Sequence, residues 1–308
     1  MAKLGDHIEN ALNEARMLLL GGQVLIGFSY RICFEQGFQQ IPLAAQVAEV
    51  AGIGIMTGAL GALIWPAAFH QIAQQGRENP TIYSLATRTL DWMLLPLGIS
   101  LGLIFYPACA ALQIAHPAWI GAATGIFALL MWYTWAFTRP HSKKREDVIA
   151  DLQRGQHDGD DSDISERIKQ LLIECRMALP GAQAFLGFQF AIVFTDSFKK
   201  LPRSSHWIHF GSLLATTISI VLLIAVAAYH RLAEGGEETE NFHRVASRFL
   251  LAALVFLAPG MTGDLLVVIR ALTGSLSLSV WISVLLLLAF YGLWFGISLW
   301  RAKSRRIG

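Results

Sequence analysis

The chain has 308 residues, of which 54% are hydrophobic and 15% are Asp, Glu, Lys or Arg, and its mean hydropathy is +0.49. A soluble domain carries about 25% charge, so this composition excludes a soluble globular enzyme, a disordered chain and a nucleic-acid-binding domain. Lys plus Arg (24) nearly balances Asp plus Glu (22), leaving a net charge of +2 and no field to steer a charged partner.

The first residues carry Asp6, Glu9 and Glu14 ahead of an apolar run with no small-residue cleavage site behind it, so a retained N-terminus is expected. Asp6 and Glu9 have capping-box spacing, and Ile8, Leu12 and Ala15 make an apolar stripe, which predicts a short amphipathic helix. A membrane helix needs about 20 mostly apolar residues. On that measure residues 15–36, 43–69, 88–112 and 118–138 are expected spans, with His116 and Pro117 dividing the last two. Residues 139–163 hold HSKKRED and then DGDDSD and have no apolar period, so they are expected to be a charged cytoplasmic linker. Its acidic run, Asp158, Asp160, Asp161 and Asp163, lacks the glycine and terminal Glu of a calcium-binding EF-hand loop. A second amphipathic lead follows, with Asp163 and Glu166 as the cap and Ile164, Ile168 and Leu171 as the stripe. Spans 175–196, 205–229, 246–270 and 278–300 complete the chain.

Most Lys and Arg fall on one side of these spans; the other side carries only Arg31, Lys199, Lys200, Arg203 and Arg270. The positive-inside rule then places both termini in the cytoplasm. Trp119, Trp132, Trp135, Trp281, Trp294 and Trp300 flank the spans as interfacial anchors would. Cys33, Cys109 and Cys175 fit no disulfide or metal spacing and are expected to be small apolar filler.

The chain repeats itself at an offset of 160 residues. EARMLLLGGQVLIGFSYRICFEQGFQQIP, from Glu14 to Pro42, matches ECRMALPGAQAFLGFQFAIVFTDSFKKLP, from Glu174 to Pro202, without a gap. The register continues through Ala67-Ala68-Phe69-His70 and Ala227-Ala228-Tyr229-His230, and through Arg88 and Arg248. Apolar composition alone would not align Glu, Arg, Gln and His, so the expected fold is all-α and integral to the membrane, with eight transmembrane helices as two parallel four-helix repeats, 1–138 and 164–308. The pattern E-x-R, G-x-Q-x3-G-F, F-x3-F-x3-P and A-A-aromatic-H resembles a bacterial family of small four-span membrane proteins of unknown function. Some members of that family carry the label sodium:proton antiporter. The chain is similar to two such units fused, best over 14–112 and 174–270, and the resemblance implies a bacterial inner (plasma) membrane.

The candidate site residues are the repeated polar ones. Glu14, His70 and Arg88, with Glu174, His230 and Arg248, fall at one depth in each unit; each trio is expected to act as a clamp on helix ends, a pH-sensitive gate or a metal site. Gln23 and Gln183 fall near mid-span and are expected to serve as helix–helix glue or to line a path. Glu35, Glu49, Asp91 and Asp264 are the intramembrane acids; all are expected nearer an interface than the midplane, and none is repeated, which argues against a central-carboxylate antiporter. Arg31, one turn before Glu35, is its expected partner. Gly54, Gly58 and Ala62 make a close-packing ridge whose counterparts, Leu214, Ile218 and Leu222, are large. No enzyme motif or mid-membrane histidine pair is present, so no enzyme activity, cofactor or bound metal is expected. A passive or weakly coupled transporter or channel for a small solute or ion is the first functional expectation, with its path between the repeats. The alternative is a structural or accessory subunit of a larger membrane complex. The expected partners are the lipid bilayer and, in the second case, other membrane subunits.

Overall fold

The structure is a computed structural model, and it describes residues 4–76, 80–138, 164–232, 234 and 239–307. The predicted linker 139–163, with its acidic run, lies outside the described residues, as do Glu78 and Glu238.

Among the described residues, eight long helices follow one another: α1 (Leu4–Ile32), α2 (Leu43–Ala73), α3 (Pro80–Ala111), α4 (Pro117–Thr138), α5 (Ile164–Ile192), α6 (Arg203–Leu232), α7 (Glu240–Thr273) and α8 (Leu276–Tyr291). A π-helical turn, Gly292–Ile297, carries α8 on into Ser298–Ile307. The starts of α1 and α5, α2 and α6, and α3 and α7 keep the repeat offset. Local chemistry fixes several ends. Pro117 opens α4, where its missing N–H costs nothing. Thr239 caps α7 by accepting from the Phe242 N–H, and Gly274, at φ 67°, closes the same helix in the left-handed conformation.

Among the described residues five helices are long and apolar enough to cross a membrane: Leu43–Ala73, Thr81–Ala111, Arg203–His230, Glu240–Thr273 and Leu276–Ser304. Pro117–Tyr133 is a shorter apolar helix. The predicted amphipathic leads are not separate elements: each runs unbroken into the apolar part of α1 or α5, because no proline or turn intervenes. Arg16, Gln23 and Arg31 within the apolar part of α1, and Arg176, Gln183 and Gln189 within that of α5, make these two helices less apolar than the five.

α1 and α5 pack on each other along the boundary between the units, and α2 and α7 flank them. The apolar segments of α2 and α7 are 61% and 67% buried, against 33% for α3 and α6, so one second helix and one third helix form the centre. The repeat is therefore broken in three dimensions, and glycines explain how. Gly98 and Gly102 on α3 face Gly121 and Gly125 on α4 backbone to backbone; a Cβ on Gly102 would lie 2.8 Å from the Gly121 carbonyl oxygen. The equivalent positions in the second unit are Ala258, Thr262, Trp281 and Leu285, whose side chains forbid that approach. α8 still packs on α7, but its π-helical continuation reaches across to α2 of the first unit. There the Phe290 ring lies over Gly61, and Trp294, fully buried, donates from Nε1 to the Gly61 carbonyl at 2.7 Å. The π turn places Trp294 there. Val221 is the counterpart of Gly61 and would bar the reciprocal contact on α6.

Two Trp and ridge expectations need correction. Trp294 is a packing residue, not an interfacial anchor, whereas Trp119, Trp281 and Trp300 are exposed. Gly54 meets nothing, and the close contacts of α2 fall at Gly52 and Gly61. Gly52 accommodates Ser100 of α3, which donates to its carbonyl at 2.8 Å; at the equivalent crossing of α6 and α7 the pair is Ser212 and Gly260, the residue types exchanged. Trp294→Phe keeps the ring contact with Phe290 and loses one hydrogen bond. The smaller ring also leaves a cavity at this fully buried site, so a cost of about 2–3 kcal/mol is expected in thermal unfolding, and a cost near zero would show that Trp294 does not anchor this segment to α2.

Candidate functional site

Polar side chains are costly inside an apolar bundle unless paired, and the two ends of this one hold distinct buried clusters. At the first end the last turn of α2 meets the heads of α5 and α7. His70 Nδ1 bonds Glu174 Oε1 at 2.5 Å, Gln71 Nε2 donates to Glu174 Oε2 at 2.5 Å, and Ser247 Oγ donates to Gln71 Oε1 at 2.7 Å. His70 and Glu174 are buried. This chain of bonds joins three helices and crosses the unit boundary; we call it the latch. Gly76, at φ 74°, lets the chain turn after α2: its N–H donates to the His70 carbonyl, and a Cβ there would lie 2.4 Å from His243 Nε2.

The latch corrects the expected pairing. Glu14 does not bond His70, and Glu174 does not bond His230. Because α1 and α5 pack side by side, the head of α5 reaches the end of the other unit's α2. Glu14 is exposed. His230 lies against Phe242 with the rings tilted by 45° and their centroids 4.5 Å apart, and its Nε2 has no hydrogen-bond partner. The carboxylate near it is Glu234, which accepts from Asn241 and Thr239 at 2.9 Å and from Tyr229 at 3.2 Å. Those bonds, Asn241's foremost, hold the half-buried Glu234 carboxyl below the usual carboxylate range. Arg88 and Arg248 are exposed and belong to neither group.

The glutamines also part company. Gln23 is buried, its Oε1 lies over Gly181 of α5, and that oxygen has no hydrogen-bond partner. Gln183 is exposed on the outer side of α5. A facing pair is therefore not formed: α1 and α5 are rotated differently, with Phe188 seated on Gly27 while Gly187 meets nothing.

At the other end the turns 33–42 and 193–202 meet, and Gln36 Nε2 donates to Asp196 Oδ2 at 3.4 Å. Here His209 of α6 bonds Asp264 Oδ1 of α7 through Nδ1 at 2.9 Å and the Gln189 carbonyl through Nε2 at 3.0 Å. Gln189 Nε2 donates to Asp264 Oδ2 at 2.8 Å. With an acceptor at each ring nitrogen, the pair holds one shared proton beyond that on Nε2. All three residues are buried. The same place in the first unit holds Glu49, Ser29 and Ile104. Glu49 is fully buried, and neither carboxylate oxygen has a hydrogen-bond partner, with the Ser29 hydroxyl its near polar neighbour. Tyr30 stands between these loci, donating to the Met261 carbonyl at 3.3 Å. Arg31 and Glu35 pair as expected at 3.2 Å, exposed.

Among the described residues, no group of three or more His, Cys, Asp or Glu is placed to hold a metal ion.

Comparison with known families bears on the repeat. The model of a family of unknown function, DUF6328, matches twice, over residues 3–137 and 160–298. The chain belongs to this family. Two matches in tandem are consistent with a protein built of two units, and the family description assigns no activity. No curated protein and no solved structure matches the chain.

Gln71, Ser247 and Gln189 were not legible as site residues, since unlike Gln23 and Gln183 they are not repeated: their counterparts are Arg231, Thr87 and Ser29. The pair His209 and Glu49 did carry a signal: two titratable residues occupy the same position of the repeat.

Proposed function

We propose that the chain crosses a bacterial inner membrane eight times as two units of the same polarity, with both termini cytoplasmic, and that it carries a small ion or solute without enzymatic chemistry. The latch is the observation that supports this. A purely structural clamp between two apolar units needs no charge, and an apolar contact avoids the desolvation cost of a buried pair. A histidine–carboxylate contact at the boundary gives that boundary two protonation states. Neutralising Glu174 or removing the His70 proton weakens the tie between α2 and α5 at the cytoplasmic end. Separation there uncovers the α1–α5 seam and Gln23, whose unpaired oxygen is a ready ligand. The path is one-sided, since Gln183 faces outward.

The test is flux in proteoliposomes that hold a pH-sensitive dye, with sodium, potassium and proton gradients in turn. Wild-type protein is expected to dissipate at least one gradient faster than empty vesicles, Glu174→Gln is expected to change that rate about tenfold or more, and Gln183→Leu is expected to leave it unchanged. No flux above background for any gradient overturns the proposal.

The close fit of Gln23 on Gly181 and of Phe188 on Gly27 supports a second reading, an accessory subunit of a larger membrane complex. Native mass spectrometry after gentle extraction separates the two. A mass near 33.9 kDa or a small multiple favours independent action, and a stable assembly with other chains favours the accessory role.

A further inference from the structure

We infer that Glu49 is a proton-binding site: in the folded protein its carboxyl group is held neutral by a bound proton, which exchanges with water through a crevice at the turn end. Glu49 lies on α2 about 9 Å from the start of the helix, fully buried against α1, with both oxygens free of hydrogen-bond partners. An uncompensated carboxylate in that setting is strongly disfavoured, so something must neutralise it. A metal cation is a poor fit. Hard cations take about six oxygen ligands, and this place offers one carboxylate, the Ser29 hydroxyl and the Cys33 thiol. A proton needs no further ligand.

The facing groups allow no other counter-charge. α1 presents Ser29 and Cys33, with Tyr30 beyond them. α7 presents Asp264, already engaged by His209 and Gln189. α3 presents Ser100, Leu103 and Ile104 around Gly52, one turn on from Glu49.

The repeat gives an independent argument. Positions 49, 29 and 104 correspond to His209, Gln189 and Asp264. The second unit neutralises this locus with an internal histidine–aspartate pair. The first unit has Ile104 where the second has Asp264 and an acid where the second has the base, so no internal pair can form. The missing positive charge is supplied by the proton.

Space for water approaches Glu49, which does not itself line it. A crevice of about 40 Å³, which is room for water, lies among the turns and is lined by Cys33, Gln39, Gln46, Val50 and Leu201. Gln46 and Val50 flank Glu49 on α2, and Cys33 is beside it.

This inference goes beyond the proposed transport, and its test needs no flux. The full chain in lipid nanodiscs is treated with dicyclohexylcarbodiimide, which reacts with protonated carboxyl groups in apolar surroundings, and adducts are mapped by peptide mass spectrometry. Labelling is expected at Glu49 and not at the exposed Glu35, to fall about tenfold per pH unit above the titration point of the site, and to be insensitive to sodium. In parallel, infrared spectra of the wild type are expected to show a protonated-carboxyl band that Glu49→Gln removes. An unlabelled Glu49 at acidic pH, protection by sodium at fixed pH, or a band unchanged in folded Glu49→Gln each overturns the inference. If Glu49→Gln does not fold, mapping on the wild type decides alone.

Discussion

Glu174→Ala is expected to destabilise the full chain by about 3–5 kcal/mol, the range for breaking a buried ion pair by removing one partner. Its two oxygens take the His70 ring and the Gln71 amide, and Gln71 in turn takes Ser247. Alanine would leave the first two without an acceptor in a buried place and cut the tie between α2, α5 and α7. Glu174→Gln keeps an oxygen but turns an amide N–H₂ toward a donor, so about 1–3 kcal/mol is expected. The informative control is Glu14→Ala. Glu14 occupies the same repeat position on α1, yet it is exposed and makes no latch, so stability is expected to stay at the wild-type level. Denaturant unfolding of the three variants in detergent reads this directly. Equal losses at Glu14 and Glu174 would mean that the cross-unit bond does not hold the boundary.

Gly121→Val is the second large effect, about 2–3 kcal/mol, in the range for overpacking a tight contact. Distance alone would mislead here. A Cβ on Gly181 would approach Gln23 Oε1 to 1.1 Å, far closer than the 2.8 Å between a Gly121 Cβ and the Gly102 carbonyl oxygen. The Gln23 obstacle is the tip of a flexible side chain with no bond to lose there. The Gly102 obstacle is helix backbone and cannot turn aside. Gly181→Ala is therefore expected to cost less than about 1 kcal/mol, and Gly121→Val to lift α4 off α3. Thermal unfolding ranks them, and a disulfide cross-link between cysteines placed on α3 and α4 reports the separation. The reverse ranking would mean that Gln23 is held more firmly than its contacts indicate.

Much of the helical order was legible in the sequence. Apolar runs of span length place the helices, His116-Pro117 divides α3 from α4, and the gapless 160-residue register identifies corresponding elements. Arg31 and Glu35 could be paired because one turn of helix fixes their separation. The site was less legible. Glu14, His70, Glu174 and His230 were visible as a set, but the assignment of partners was not, because either carboxylate could meet either histidine until the packing of α1 on α5 was known. Asp264 and Glu49 were visible as intramembrane acids near an interface; their burial, and the pairing of only one of them with His209, depend on how the helices pack, with His209 55 residues from Asp264.

The sequence by itself determined the all-helical class, the apolar character and the doubled unit, because these follow from periodicity, composition and register along one chain. The tertiary structure decided how the doubled unit ceases to be symmetric. Four glycines hold α4 close on α3, whereas Trp281 and Leu285 stand where two of them would on α8, and the continuation of α8 packs on Gly61 of the other unit. α2 and α7 are the more buried and α3 and α6 the more exposed, and the different rotation of α1 and α5 turns Gln23 inward and Gln183 outward. A contact between backbones depends on what both helices lack, and the energy that settles it is spread over pairs of residues, so one strand of sequence does not display it.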